Sequence, residues 1–441
     1  MTRAGRGGSQ EQSNDDYDPY AHRETLKPVS DFGSLATLVK SAVGTGLFAI
    51  PNAFSDVGLF IGIVGTILMG MFITGSLQIL LKIHQTMCIK LKKPILNYDE
   101  VVVASLTIGV RKPWLSARVA TFMVDVIMLT CYMGVGAVYV VFVSGVIQEC
   151  IDTGKTIDQG YYALMFFPIF FLMNMMKHLK DMASAAIVGN VLLFSAALIG
   201  IVYALKDGIG EKWVWVSPRI GLYPKFIGTV FFSMVSPGVI LAIQHEMETP
   251  WNYTKLCGVL HWGMTFITLL HVLVGAIGYL KWGTDALGNF IRNHRVNDVA
   301  TVAALSMQAI AIYFTYGLQC YMPINILSNA YVLPALEENI CKGSPFVWDL
   351  IVRFAVSLAT CLLAASIPKL DLFTGLVGSI CISTLSTLIP VALYILVYYG
   401  NYGSRKWRLI LGLSLLFIGL VITLCAVVVN LTLIVQYFAQ K

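Results

Sequence analysis

Two short stretches interrupt long apolar runs near their midpoints. Gly44–Thr45–Gly46 lies inside the run 34–54, and Ser236–Pro237–Gly238 lies inside the run 224–245. Two glycines lower helix propensity by about 2 kcal/mol relative to alanines and open backbone conformations closed to other residues. A proline removes one backbone donor and clashes with the preceding turn. A helix unwound at such a point leaves N–H and C=O groups without intrahelical partners. The half-helix beginning near Leu47 would present N–H groups and a positive dipole end to an anion. Carbonyls freed in the second run suit an ammonium group. A carboxylate site facing an ammonium site is a receptor for a zwitterion, hence for an amino acid. Taken singly, either break is explained as well by close helix packing. The pair is the better pointer, because interrupted segments at matching positions of two halves mark transporter binding sites.

The elements that must carry these stretches follow from composition. The chain has 441 residues, 57% of them hydrophobic and only 12% charged. A soluble domain averages about 25% charged residues, so a soluble enzyme or a nucleic-acid-binding domain is excluded as the reading. The net charge of +6 then belongs to basic loops beside a membrane. About 20 apolar residues cross a bilayer as a helix, and backbone groups in lipid must be satisfied within the element. Eleven spans are expected, at about 34–54, 58–82, 117–148, 161–177, 182–205, 224–245, 256–281, 300–327, 347–367, 371–398 and 407–435. The breaks fall in spans 1 and 6, the first of each set of five. Residues 1–33 hold almost no apolar clusters and are expected to form a disordered tail. Residues 34–435 form the transmembrane domain. The segment 94–112 is too short to cross and carries Asp99 and Glu100, so it is expected to lie at the interface.

Lys and Arg set the orientation. With the tail cytoplasmic, nineteen fall inside and ten outside, leaving out Lys40 within span 1. The N-terminus is therefore expected in the cytoplasm and the C-terminus outside or in a lumen, in either the plasma membrane or an endolysosomal membrane. The nine cysteines form no CxxC pair and mostly sit in apolar runs, so neither a metal site, a cofactor site nor a disulfide framework is indicated. There is no HExxH or GxSxG, which leaves an enzyme without support.

The chain resembles the proton-coupled amino acid transporter branch of the amino acid/auxin permease superfamily, particularly its insect members, from about Ser34 to Tyr399. The residues that carry the resemblance are GTGLFAIP (44–51), MGVGAVYVVF (133–142) with Asp125 upstream, IYFTYGLQCYMP (312–323) and IPKLDLFTGLVGS (367–379). It implies an all-α membrane protein of eleven spans. Spans 1–10 would form a LeuT-like 5+5 inverted-repeat core with broken helices 1 and 6. It implies transport of small neutral amino acids. The substrate carboxylate would then meet Gly44, Thr45 and Gly46, with Ser41 close by. The amine would meet Ser233 and Ser236, and flanking contacts would come from Tyr132, Tyr313 and Thr315.

The chain departs from that family at titratable positions. Thr37 stands where members often carry a histidine ahead of GTG, and Val235 and Gln244 stand at positions often acidic. Threonine cannot carry a proton at physiological pH, whereas histidine can. Proton coupling is thereby placed in question, and Asp125 is the remaining coupling candidate, since intramembrane ionisable groups are functional candidates by default. His261 and His271 are read as packing residues, and Lys40 as snorkelling to the cytoplasmic surface. A carrier working by alternating access is the leading reading. A sensor that binds an amino acid without substantial transport is its competitor.

Overall fold

A computed structural model describes residues 17–23, 28–42, 44–108, 116–151, 157–176, 179–206, 208–234, 237–294, 298–337, 344–367, 369–399 and 406–440. Span 1 consists of α1 (Asp31–Ala42) and α2 (Thr45–Val57), span 2 of α3 (Leu59–Leu91). The short α4 (Tyr98–Thr107) precedes span 3, which is α5 (Ala117–Ile151). Span 4 is α6 (Gln159–Met165) followed by α7 (Phe167–Asn174), and span 5 is α8 (Leu179–Lys206). Span 6 is α9 (Tyr223–Met234) and α10 (Pro237–Glu246), span 7 is α11 (Val259–Trp282). Span 8 is α12 (Val299–Ile326), continued by a π-helical stretch and by α13 (Leu333–Glu337). Spans 9, 10 and 11 are α14 (Pro345–Ser366), α15 (Leu370–Val377) to α16 (Ile389–Val397), and α17 (Trp407–Ala439).

Among the described residues nine helical segments are long and apolar enough to cross a bilayer, and the bent pair α1–α2 makes a tenth. The remaining expected span, 161–177, is a pair of helices too short to cross singly, parted at Phe166 with Pro168 opening the second. Helix α4 has 10 residues, about 15 Å of helix, which is half a bilayer. It is tied in place by the Tyr98 hydroxyl, which donates to the Leu385 carbonyl at 2.6 Å. Span 10 departs from an ideal helix, with π-helical turns over Gly378–Ile382 and Thr384–Leu388. Thr384 and Ser386 there donate to the carbonyls four residues back, at 2.5 and 2.6 Å. Such back-bonding competes with the helical ladder and accounts for the widened turns.

The packing repeats with a period of five spans. Spans 1 and 6, 2 and 7, 3 and 8, and 4 and 9 pack on each other. Span 5 packs on 8 as 10 packs on 3; span 1 on 7 as 6 on 2; span 3 on 9 as 8 on 4; span 7 on 5 as 2 on 10. Five is odd, so span 6 enters the membrane from the face opposite to span 1. The second set is therefore inverted with respect to the first. One difference breaks the pattern. Span 10 packs against both α2 and α9, whereas among the described residues span 5 makes no comparable contact with spans 6 and 1. The core is closed beside span 10 and parted beside span 5.

Spans 4, 8 and 9 form a polar-laced scaffold. The buried Asn174 amide donates to the Ser357 hydroxyl at 2.8 Å and the Tyr316 hydroxyl at 3.3 Å. The buried Arg353 guanidinium donates to the Asn174 carbonyl at 2.5 Å and to Asp349 at 3.0 Å. Replacing Arg353 by Met removes the buried donor to the Asn174 carbonyl at the end of span 4 and the guanidinium beside Asp349 of span 9. The expected cost is about 3 kcal/mol, measurable as a lowered melting temperature of the purified protein.

The tail is partly ordered, where composition argued for disorder throughout. Val29 forms a bridge with Met247 beyond the end of α10, its amide donating to the Glu246 carbonyl at 2.8 Å. The Arg23 guanidinium donates to the carbonyls of His245 (2.7 Å) and Met247 (2.6 Å). Gln244 donates to the Tyr20 hydroxyl at 3.0 Å, and burial pushes that phenol up to about 12, so it stays neutral. Carbonyls past the last turn of a helix have no intrahelical donor, which is what the arginine supplies.

Candidate functional site

Helices α1 and α2 meet at an angle of 56°. Gly44 is extended and caps α2 without a side-chain hydrogen bond. The first amides of α2, those of Thr45 and Gly46, therefore point out of the helix end without a carbonyl one turn back. The Thr45 hydroxyl beside them is buried and makes no hydrogen bond. Span 6 has the corresponding pair, α9 ending at Met234 and α10 starting at Pro237; Val235 and Ser236 lie outside the described residues. The two interrupted spans come backbone to backbone at Gly46. A β-carbon on Gly46 would lie 2.5 Å from the Ser233 Cα and 2.6 Å from its Cβ, so only glycine lets them approach this closely.

A cavity of about 250 Å³ opens beside that contact. It is bordered by Thr37, Lys40, Ser41 and residues 44–46 of span 1, and by Phe232, Ser233 and Val239 of span 6. Spans 3, 5, 8 and 10 complete it through Val135 and Tyr139, Asn190 and Leu193, Ile312, Thr315, Leu318 and Gln319, and Ile382. Among the described residues no Asp or Glu lines it, and Lys40 is the one charged side chain. The hydroxyls of Ser41, Ser233 and Thr315 all donate to carbonyls of their own helices, at 2.7, 3.0 and 2.9 Å. With their hydrogens committed, these oxygens present only lone pairs to the cavity. The site thus sets free backbone donors at the start of α2 against hydroxyl acceptors from spans 1, 6 and 8. A carboxylate matches the first set and an ammonium the second.

Of the residues singled out in the sequence, Ser41, Gly44, Thr45, Gly46, Ser233 and Thr315 border the cavity. Ser236 lies outside the described residues. Tyr313 does not reach it: its hydroxyl donates to the Ile169 carbonyl of span 4 at 3.1 Å. It lies two residues from Thr315, which on a helix is the wrong face. Tyr132 approaches span 6 from below the cavity, its hydroxyl 2.6 Å from where a Gly238 β-carbon would be. Asp125 is buried away from the cavity and accepts from the Tyr331 hydroxyl at 2.9 Å. His271 bonds the Ile267 carbonyl through Nδ1, and His261 bonds Gln78, as packing residues do. Lys40 borders the cavity and is half-buried there.

Tyr139, Asn190 and Gln319 were not singled out, yet each had a signal. Tyr139 is two turns from Tyr132 and Gln319 one turn from Thr315, so each shares a face with a candidate. Asn190 is a lone amide in the apolar stretch of span 5. Removing the span 8 acceptor gives a direct check on the site. Thr315→Ala is expected to raise KM for a transported amino acid about tenfold with kcat little changed, a charged hydrogen bond being worth about 1.5 kcal/mol or more. Thr315→Ser restores it.

Several known proteins are similar to this chain. A proton-coupled amino acid transporter-like protein of Drosophila melanogaster, called pathetic, is 27% identical over 94% of this chain and 86% of its own. The amino acid transporter AVT3C of Arabidopsis thaliana is 22% identical over 86% and 85%. Among solved structures, a Na⁺-coupled sialic acid symporter superposes with a TM-score of 0.45 at 12% identity, covering 91% of this chain and 90% of that one. A manganese transporter of Eremococcus coleocola gives 0.46 at 11% identity, covering 93% and 89%. The family model for transmembrane amino acid transporter proteins matches residues 28–432, and the chain belongs to that family.

Proposed function

We propose that this multi-pass membrane protein is a secondary carrier of small neutral amino acids working by alternating access. One observation carries the reading. The two interrupted spans meet at Gly46 and Ser233 beside a cavity that offers donors on one side and acceptor hydroxyls on the other. Among the described residues the lining is neutral apart from Lys40, and its volume and apolar residues favour a short side chain. The parting beside span 5, against closure beside span 10, supports a cavity reached from the face where span 1 begins. The Lys/Arg balance makes that face cytoplasmic and the C-terminus outer or lumenal, in a plasma or endolysosomal membrane. Reconstituted protein is expected to take up labelled alanine, glycine or proline saturably. Folded protein that moves no amino acid would reject the carrier.

Coupling to protons does not rest on the positions the resemblance points to, since Thr37, Val235 and Gln244 are neutral. Asp125, bonded to Tyr331 between spans 3 and 8, remains the candidate within that reading. Uptake at pH 5.5 and 7.5, with and without an uncoupler, decides whether a proton moves with the substrate.

A sensor is the second reading, and the docked tail favours it. Arg23 and Val29 grip the end of α10, so any movement of that half of span 6 is felt by the tail. Amino acid binding without flux, together with tail exposure that changes on binding, distinguishes a sensor from a carrier.

A further inference from the structure

The closed side of the core holds a charge cluster that the transport site does not use. The Lys225 ammonium near the start of α9 lies 3.3 Å from Asp56 Oδ2 at the end of α2 and 3.0 Å from Asp371 Oδ2 at the start of α15. Asp56 is 4% exposed and Lys225 6% exposed. These three residues join spans 1, 6 and 10, and the contacts of span 10 with the other two are those that break the five-span symmetry. All three lie on the face opposite to the one where span 1 begins, which follows from alternation of the spans. Their own charges do not balance, with two carboxylates against one ammonium.

Two exposed cations, Arg219 beside Asp56 and Lys369 beside Asp371, attract these carboxylates from the solvent side and offset the difference only in part. The Arg219 guanidinium donates to the Ser55 carbonyl at 3.1 Å and is otherwise exposed. Lys369 lies over the Tyr437 ring at 4.9 Å. On the segments packed beside α2, Lys212 pairs with Asp285 at 2.5 Å and Arg292 with Glu149 at 2.9 Å. His294 meets the Trp282 ring edge-on at 4.9 Å, and Lys281 ends α11. An uncompensated charge out of water is costly, and such a group neutralises instead.

We propose that Asp56, Lys225 and Asp371 form a latch that closes this face only on taking up one proton, which converts one of the two carboxylates to a carboxylic acid. Open, the three groups are in water and all ionised. Closed, they are an ammonium, a carboxylate and a neutral acid. No bond other than O–H forms, and the proton comes from the solution on that face. Closing is therefore favoured by acid, by up to about tenfold per pH unit for one proton. The inference takes from the carrier reading only that this face opens.

The test reads opening, not flux, so it fails separately from that reading. A cysteine is introduced as Phe232→Cys between latch and cavity, with the exposed Cys257 and Cys425 changed to Ser. A membrane-impermeant maleimide is then applied from the latch side at pH 5.5 and 7.5. Asp56→Asn, which mimics the protonated acid, is expected to label slowly at both pH values. Against that reference at each pH, the native latch is expected to label about equally at pH 5.5 and at least about tenfold faster at pH 7.5. Lys225→Met is expected to stay open to lower pH. Asp371→Asn serves as the second neutral variant, should Asp56→Asn fail to fold. A labelling ratio that does not change with pH, a neutral variant that keeps the native dependence, or closure driven by sodium at constant pH would each overturn the proposal.

Discussion

Gly46→Ala is expected to cut uptake about a hundredfold, and Gly46→Leu to remove it. The added β-carbon would sit 2.5 Å from the Ser233 Cα. That neighbour is backbone of α9, so no rotamer change relieves the clash. The interrupted spans must separate, and overpacking of this kind costs about 1–3 kcal/mol in a structure that tolerates it. A loss of about 2.7 kcal/mol is a factor of about a hundred. The separation falls between the donors at the start of α2 and the acceptor at Ser233, so both ends of the substrate lose their distance from each other. Gly44→Ala provides the contrast. Its nearest neighbour would be the Tyr139 hydroxyl at 3.9 Å, an ordinary contact. It is expected to keep substantial uptake, and a Gly44→Ala protein as inactive as Gly46→Ala would mean that backbone freedom, and not the contact with Ser233, makes this site.

The sequence showed the breaks because glycine and proline act locally, whatever packs around them. Gly44, Gly46 and Pro237 break a helical pattern by their own φ/ψ limits and missing groups. Ser41, Ser233 and Thr315 came only with the family resemblance, which supplies a register that the apolar context of each span does not. Direction was not legible. Tyr313 and Thr315 lie two residues apart and face different neighbours, and nothing in the apolar context says which face turns inward. Lys40 reads as a surface lysine because a lone cation in a span ordinarily snorkels; that it also borders the cavity was not legible.

Long-range pairings were the hardest to anticipate. Arg353 counts among the nineteen cytoplasmic Lys and Arg of the charge balance, but it is 6% exposed and holds the end of span 4. Lys225 entered the same tally on the other side, although it is buried between Asp56 and Asp371. Those three residues come from distant parts of the chain and become neighbours only when spans 1, 6 and 10 converge. The π-helical turns of span 10 were missed as well. The run of Ser and Thr from Ser379 to Thr387 held the signal, since these side chains compete for helix carbonyls. The internal symmetry was invisible at the residue level and plain in the packing, because spans of different sequence can meet the same partners.

That symmetry locates the second large effect, at the crossing of spans 6 and 10. A β-carbon on Gly378 would overlap the Gly228 carbonyl oxygen, and one on Gly228 would overlap the Gly375 carbonyl oxygen. Backbone lies against backbone there, with no side chain able to yield. Gly378→Ala is therefore expected to hold spans 6 and 10 apart, which removes the asymmetry that distinguishes the closed face from the open one. A carrier that cannot close one face cannot cycle, so uptake is expected to fall about a hundredfold or more, on the same arithmetic as a 2.7 kcal/mol penalty. Most of the binding is expected to survive, because Gly44, Thr45, Ser41 and Thr315 are not displaced and only the Ser233 contact is disturbed. The signature is thus lost flux with retained binding, and faster maleimide labelling of Phe232→Cys from the side of the latch. Gly75→Ala is the matched control: a β-carbon there meets nothing within 4 Å and improves helix propensity by about 1 kcal/mol. If Gly378→Ala and Gly75→Ala proteins transport equally well, the close crossing of spans 6 and 10 plays no part in closing that face.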